Sequence, residues 1–317
     1  MLLLFLVLSL AGAGFCAKQC TTPVVFMHGL RGSEQDGRVL AFYIAQQHPG
    51  QPFYSLPVDD GDLSFKSLYE QIKDVQDSIQ TLIDSHPDEF ANGFHLVGHS
   101  QGGLLTRAVV EESDRFNIRN YVSLAGVQGG EYGHCDFFGS GDCEALTEYL
   151  YSDAMRNTSS VAQFWRHPNP DVYKENVFLP VINNEVNPDP RRKNNMLRLK
   201  HMFLFGSDGG LFLFVYAYRS SFFFCLFVCV CACVCVSAYT DEIISPWQSS
   251  LLGFWDTNGQ SVVPMEKQNY YVQDTFGLRT LNETNRLTLT SLPNRAHGSW
   301  IVEEDVILQY VLPALED

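Results

Sequence analysis

The sequence predicts an α/β fold in which a mostly parallel sheet carries helices on both faces. Three observations predict it. Apolar runs of strand length alternate with helical periodicity, a Gly-flanked serine stands between one such strand and one such helix, and 317 residues suffice for one large domain.

The elements follow in chain order. Residues 23–27 (Pro-Val-Val-Phe-Met) form the first expected strand, ending at His28-Gly29, and residues 53–58 form a weaker one. Between 64 and 85, Phe65, Leu68, Ile72, Val75, Ile79 and Leu82 recur at three- and four-residue spacing. That is one apolar helical face, and Pro87 stops it. Residues 94–97 make a strand, a Gly-flanked turn follows, and a helix runs through 104–112 before the next strand at 121–125. From 126 the periodicity loosens, and about 127–195 reads as a cap inserted over the strand ends, where long excursions build binding surfaces. Core character returns in the strand 201–206. A helix over 303–312 closes the chain with Val306, Ile307, Tyr310 and Val311 toward the sheet.

Composition narrows the function. Hydrophobic residues are 45% and charged residues 18%, ordinary values for a globular chain. The net charge of −15 repels phosphate backbones, so nucleic acid is not an expected partner. Residues 2–10 form an apolar run broken only by Ser9, followed by Ala11-Gly12-Ala13-Gly14, so residues 1–17 read as a secretory signal peptide without a basic start. The remaining 18–317 then form the folded domain of a secreted or lysosomal protein. Entry to that pathway makes the sequons at Asn157 and Asn282 expected glycosylation sites. It also lets Cys135 and Cys143, eight apart in a Gly- and Asp-rich loop, close a small disulfide. Cys20 is left over.

Residues 208–240 are unlike the rest. They include fifteen uncharged residues, 222–236, that end in Val-Cys-Val-Cys-Ala-Cys-Val-Cys-Val. By apolar length the segment approaches a membrane span, but Arg219 interrupts the longer run, and Val and Cys are poor helix formers. The alternation is what a TG dinucleotide repeat would encode, so the segment reads as a low-complexity insertion of translated non-coding sequence rather than a membrane anchor.

The chemistry centres on Gly98-His99-Ser100-Gln101-Gly102, a G-x-S-x-G nucleophile elbow with a strand before it and a helix after. Glycines two before and two after Ser100 let strand and helix approach closely while the hydroxyl projects. The expected oxyanion hole is the backbone N–H of Gln101 with that of Leu30 in the loop after the first strand, which leaves His28 an architectural role. The chain order of this fold, the α/β-hydrolase fold, puts the acid and then the base after the serine. Of nine histidines, His297 lies in a loop just before the last helix and is the expected base. Two acids compete. Asp208 follows the strand 201–206 directly, and Asp241 follows the odd segment; excising 208–240 or 209–241 leaves one of them in the same place. The intact stretch downstream of Asp241 favours it.

Several stretches together resemble the palmitoyl-protein thioesterases, and most of all their type-2 lysosomal branch. They are Val25-Phe26-Met27-His28-Gly29, the elbow extended by Gly103, Ser123-Leu124-Ala125-Gly126, Phe164-Trp165-Arg166-His167-Pro168, Val181-Ile182-Asn183-Asn184-Glu185 and Ile243-Ile244-Ser245-Pro246-Trp247-Gln248-Ser249-Ser250. The resemblance runs from about Thr22 to the C-terminus and excludes 208–240. It implies Ser100, Asp241 and His297 as nucleophile, acid and base, and hydrolysis of long-chain fatty acyl thioesters in the lysosome. That chemistry needs no metal and no organic cofactor. The competing expectations are a lipase or carboxylesterase acting on oxygen esters, and an inactive lipid-binding relative whose acid the insertion displaces.

Overall fold

The computed structural model describes residues 22–135, 138–208, 210–215, 234–239, 241 and 243–316. Residues 1–17 (expected to be a signal peptide), Cys20 and the centre of the low-complexity insertion lie outside the described residues.

Six parallel strands make the main sheet: β1 (Val24–Met27), β2 (Phe53–Ser55), β3 (Phe94–His99), β4 (Ile118–Leu124), β5 (His201–Asp208) and β10 (Leu287–Pro293). Their order is β10-β5-β4-β3-β1-β2, so the direction of winding reverses between β1 and β3. A doubly wound sheet opens a crevice at the carboxyl ends of its strands where the winding reverses. Here that point is where β1 runs out into His28-Gly29-Leu30 and β3 into Ser100.

Both faces of the sheet are covered, which is why its strands are nearly continuous apolar runs. Successive side chains point to opposite faces. Val25, Met27 and Leu96 join one core with Ile72, Val75 and Ile79 of α2 (Leu68–Ser85) and Leu104 and Leu105. Val24, Phe26 and Val97 join the other with Leu40 and Ile44 of α1 (Arg38–Gln47) and Trp300, Val306 and Ile307 from the C-terminal segment. After a short α3 (Pro87–Phe90) and β3, α4 (Gln101–Glu112) starts at the residue following Ser100.

Several expected boundaries move. The strand near residue 53 ends at Ser55, and its residues are only half buried. Phe65 sits in a separate 3-10 turn, because Lys66 is extended (φ −63°, ψ 168°) and the long helix begins only at Leu68, whose N–H donates to the Gln163 side chain at 2.6 Å. The closing helix is a chain of short pieces. Residues Glu304–Val306 are α-helical, Ile307–Val311 wind as a π-helix, and Pro313 lies in the 3-10 turn Leu312–Leu315. Val306, Ile307 and Val311 are buried as expected, and Tyr310 is half buried.

Between β4 and β5 the described residues form six short helices: α5 (Cys143–Leu150), α6 (Asp153–Arg156), α7 (Ser160–Phe164), α8 (Pro170–Tyr173), α9 (Leu179–Ile182) and α10 (Pro190–Met196). Cys135 and Cys143 are disulfide-bonded across the loop that enters α5, with their Cα atoms 5.4 Å apart. Past β5 the chain leaves the sheet in an antiparallel ladder, β6 (Gly210–Val215) with β7 (Val234–Tyr239), that sets Gly210 opposite Tyr239. A two-stranded ribbon, β8 (Phe254–Trp255) with β9 (Val262–Val263), precedes the last strand. Among the described residues, no helix is long and apolar enough to cross a membrane.

Candidate active site

The turn from β3 into α4 holds Ser100 at φ 57°, ψ −127°, a conformation that L-residues adopt only when the surroundings impose it. Those surroundings are close-packed backbone. A Cβ on Gly98 would lie 2.2 Å from the Gly102 carbonyl oxygen, and one on Gly102 would lie 2.3 Å from the His28 carbonyl oxygen. Gly102→Ala is therefore expected to destabilise the fold by about 1–3 kcal/mol, the usual range for overpacking. A lowered thermal unfolding midpoint checks it; an unchanged midpoint would mean that the elbow yields without strain.

The loop after β1 passes beside the serine, so close that a Cβ on Gly29 would be 3.2 Å from Ser100 Oγ. Leu30 and Gln101 both line the cavity above the serine, and neither backbone N–H meets an acceptor among the described residues. His28 anchors the loop from beneath: its Nδ1 lies 2.8 Å from the Gly29 carbonyl, and its Nε2 lies 2.9 Å from the Val58 carbonyl and 3.0 Å from Asp60 Oδ1. Ser64 anchors it from the side and went unnoticed in the sequence. Its Oγ accepts the Arg31 N–H at 2.7 Å, and its carbonyl accepts from the side chains of Gln71, Gln101 and Ser160.

His297 and Asp241 meet at the same place. His297 Nδ1 donates to Asp241 Oδ2 at 3.0 Å, with both side chains nearly inaccessible to solvent. Asp241 Oδ1 accepts the N–H groups of Ile243 (3.0 Å) and Ile244 (2.9 Å), which fix the carboxylate's orientation. Asp208 is elsewhere: it ends β5, where its backbone pairs with Pro293 and accepts from Asn294 N–H. His99 supports His297 from behind by donating Nε2–H to the His297 carbonyl at 3.1 Å. Burial, reinforced by the neighbouring His297, pushes His99 down to about 3, so it stays a neutral donor. Of the other described histidines, His167 pairs with Glu144 and His201 with Thr288.

Ser100 and His297 open into one cavity of about 500 Å³, within the usual range for small-molecule sites. Its walls are mostly apolar, with Leu146 and Leu150 from α5, Phe164 from α7, and Phe65, Val127 and Ile244. One polar wall residue, Glu131, also escaped sequence reading; it is buried, and its Oε2 accepts the Ser245 N–H at 2.7 Å. No group of His, Cys, Asp and Glu among the described residues is arranged to hold a metal ion.

The sequence matches the palmitoyl protein thioesterase family over residues 23–213 and 226–297, a match that breaks only inside the low-complexity insertion. The chain belongs to the palmitoyl protein thioesterase family. Membership makes it a hydrolase, a serine-type thioesterase on the α/β-hydrolase fold. It is 30% identical to a lysosomal thioesterase PPT2 homolog of Drosophila melanogaster, across 93% of this chain and 92% of that protein. It is 29% identical to lysosomal thioesterase PPT2 of Homo sapiens, across 95% of this chain and 90% of that one. Palmitoyl-protein thioesterase 3 of Dictyostelium discoideum is also 29% identical, across 94% and 93%.

Proposed function

We propose that this thioesterase hydrolyses long-chain fatty acyl thioesters in the lysosome through an acyl-serine intermediate, with Ser100 as nucleophile, His297 as base and Asp241 as acid. The observation that carries the reading is the buried His297–Asp241 pair, 3.0 Å apart, opening with Ser100 into an apolar cavity. His297, its Nδ1–H committed to Asp241, takes the Ser100 proton on Nε2 as Oγ attacks the thioester carbonyl. The Leu30 and Gln101 N–H groups hold the oxyanion, each worth about 3 kcal/mol in sites of this kind. The C–S bond breaks, the thiolate leaves with the proton from His297, and water activated by the same base then hydrolyses the acyl-serine.

The six short helices between β4 and β5 act as the cap in this reading, since α5 and α7 supply apolar wall over the serine. The Cys135–Cys143 bond suits an oxidising compartment. Of the two sequons, Asn157 is exposed, whereas the Asn282 amide is half buried and donates to the Tyr271 hydroxyl at 2.7 Å; Asn157 is thus the preferred glycan acceptor. The low-complexity insertion is separable from the fold: Gly210 and Tyr239 are paired across the β6–β7 ladder, so excision joins chain ends already side by side.

The test compares palmitoyl-CoA with a matched palmitoyl oxygen ester, using the chain as it stands and a form lacking 209–240. Expected is thiol release by both forms, faster than oxyester cleavage. Faster cleavage of the oxyester would replace the thioesterase reading with a lipase reading. Activity in the deleted form alone would make the insertion a defect, and a folded but silent deleted form would leave the inactive lipid-binding reading.

A further inference from the structure

Three consecutive backbone N–H groups after Asp241 are divided between two carboxyl groups. Asp241 takes those of Ile243 and Ile244, and Glu131 takes that of Ser245 at 2.7 Å. The two segments are laced together further: Tyr132 N–H donates to the Ser245 carbonyl at 2.8 Å, and the Ser245 hydroxyl donates to the Tyr132 carbonyl at 2.9 Å. On its other side Glu131 bridges to Trp165 in the cap, its N–H on the Phe164 carbonyl and its carbonyl accepting from Arg166 N–H. Glu131 therefore links the cap to the loop that presents the acid, and it does so from the cavity wall.

Its carboxyl cannot hold a charge there cheaply. The residue is 1% exposed, and Oε1 has no hydrogen-bond partner among the described residues. Among the described residues, the charged or titratable groups of the surrounding elements do not neutralise it. Asp241 adds a like charge, while His297 and His99 belong to the base. Arg166 spends its guanidinium on the Gly129 carbonyl and the Gln268 side chain, and stacks over Phe254. His134 sits against the Ile243 carbonyl.

We propose that Glu131 is a positioning residue that works as a neutral carboxylic acid, holding the Asp241 loop in place, and that its ionisation sets the alkaline limit of activity. The activity part rests on the thioesterase reading above. Burial pushes Glu131 well above the usual carboxyl range; the Ser245 N–H pulls the other way, and the Asp241 charge adds to the rise. Ionisation places a second negative charge beside the acid in a low-dielectric wall, and the loop must then move or take in water.

The experiment uses the full chain with Glu131→Gln and Glu131→Ala, read from pH 4 to 9 by palmitoyl-CoA hydrolysis and by labelling of Ser100 with a fluorophosphonate. Gln keeps an acceptor for the Ser245 N–H and never ionises. Expected for Gln is an alkaline fall of kcat shifted up by about one pH unit or more, each profile being read relative to its own value at acid pH. Ala is expected to lower kcat by about 10–100-fold, with the larger effect on kcat than on KM, because the loop that carries Asp241 is misplaced. Coincident alkaline limbs in wild type and Glu131→Gln overturn the proposal. If neither form cleaves thioesters or takes the label, the thioesterase reading has failed instead, and unfolding midpoints decide the protonation of Glu131. An unfolded Glu loses its proton near pH 4.3, before the folded one, so wild type should lose stability relative to Glu131→Gln as pH rises above about 4.3. Parallel midpoints would show Glu131 ionised in the fold and sink the inference.

Discussion

Replacing Ser100 with Ala is expected to lower kcat for palmitoyl-CoA hydrolysis by about 10⁶-fold while leaving the fold intact. Activity should collapse because Ser100 is the hydroxyl that shares the cavity with the loop after β1 and His297. What survives is the oxyanion site and substrate binding, enough for a residual rate well above that in water. The fold should survive because Ala keeps the backbone groups of residue 100, including the N–H bond to the Leu124 carbonyl at 2.9 Å. It inherits the same positive φ and meets no new contact. Thiol release measured beside the thermal midpoint checks both halves. A variant that folds normally and keeps more than about 1% of the rate would remove Ser100 from the mechanism proposed for it.

The elbow was legible because its demands are local. Glycines at 98 and 102 and a strand–turn–helix context are properties of nine or ten neighbouring residues, and the packing distances show why Cβ atoms are not admitted. The apolar runs of β1, β3 and β5 were legible for the related reason that both sheet faces are covered. The edge strand β10 was missed, since it is only half buried and reads Leu-Thr-Leu-Thr-Ser-Leu-Pro, a polar alternation without a continuous apolar run. Its Leu287 and Leu289 were the available signal. Ser64 and Glu131 were missed for a different reason: they act on backbone groups about thirty to over one hundred residues away, and no spacing rule foretells such a partnership. The choice between Asp208 and Asp241 was left to context because the insertion gives both the same distance from the rest of the fold. Only a position relative to His297 separates them.

That separation makes the second large effect. Asp241→Asn is expected to lower kcat by about 10⁴-fold, and Asp208→Asn to leave it within about twofold. In the wild type the His297 Nδ1–H points at Asp241 Oδ2, which leaves Nε2 free of a proton and able to receive one. An amide at 241 can keep its oxygen on the Ile243 and Ile244 N–H groups, so the loop stays in place and the NH₂ faces the ring. Two donors cannot face each other; the imidazole moves its proton to Nε2, where it blocks the attack, and the imidazolium of the transition state loses its counter-charge. KM should change little, as the acyl-binding walls are untouched. Asp208 lies at the end of β5 with its carbonyl, rather than its carboxylate, engaged in the sheet edge. Steady-state thiol release by the two variants, with equal unfolding midpoints as the control, reads the assignment directly. A greater loss in Asp208→Asn would move the acid to the end of β5 and would mean that the insertion displaces Asp241 from a role it holds only by proximity.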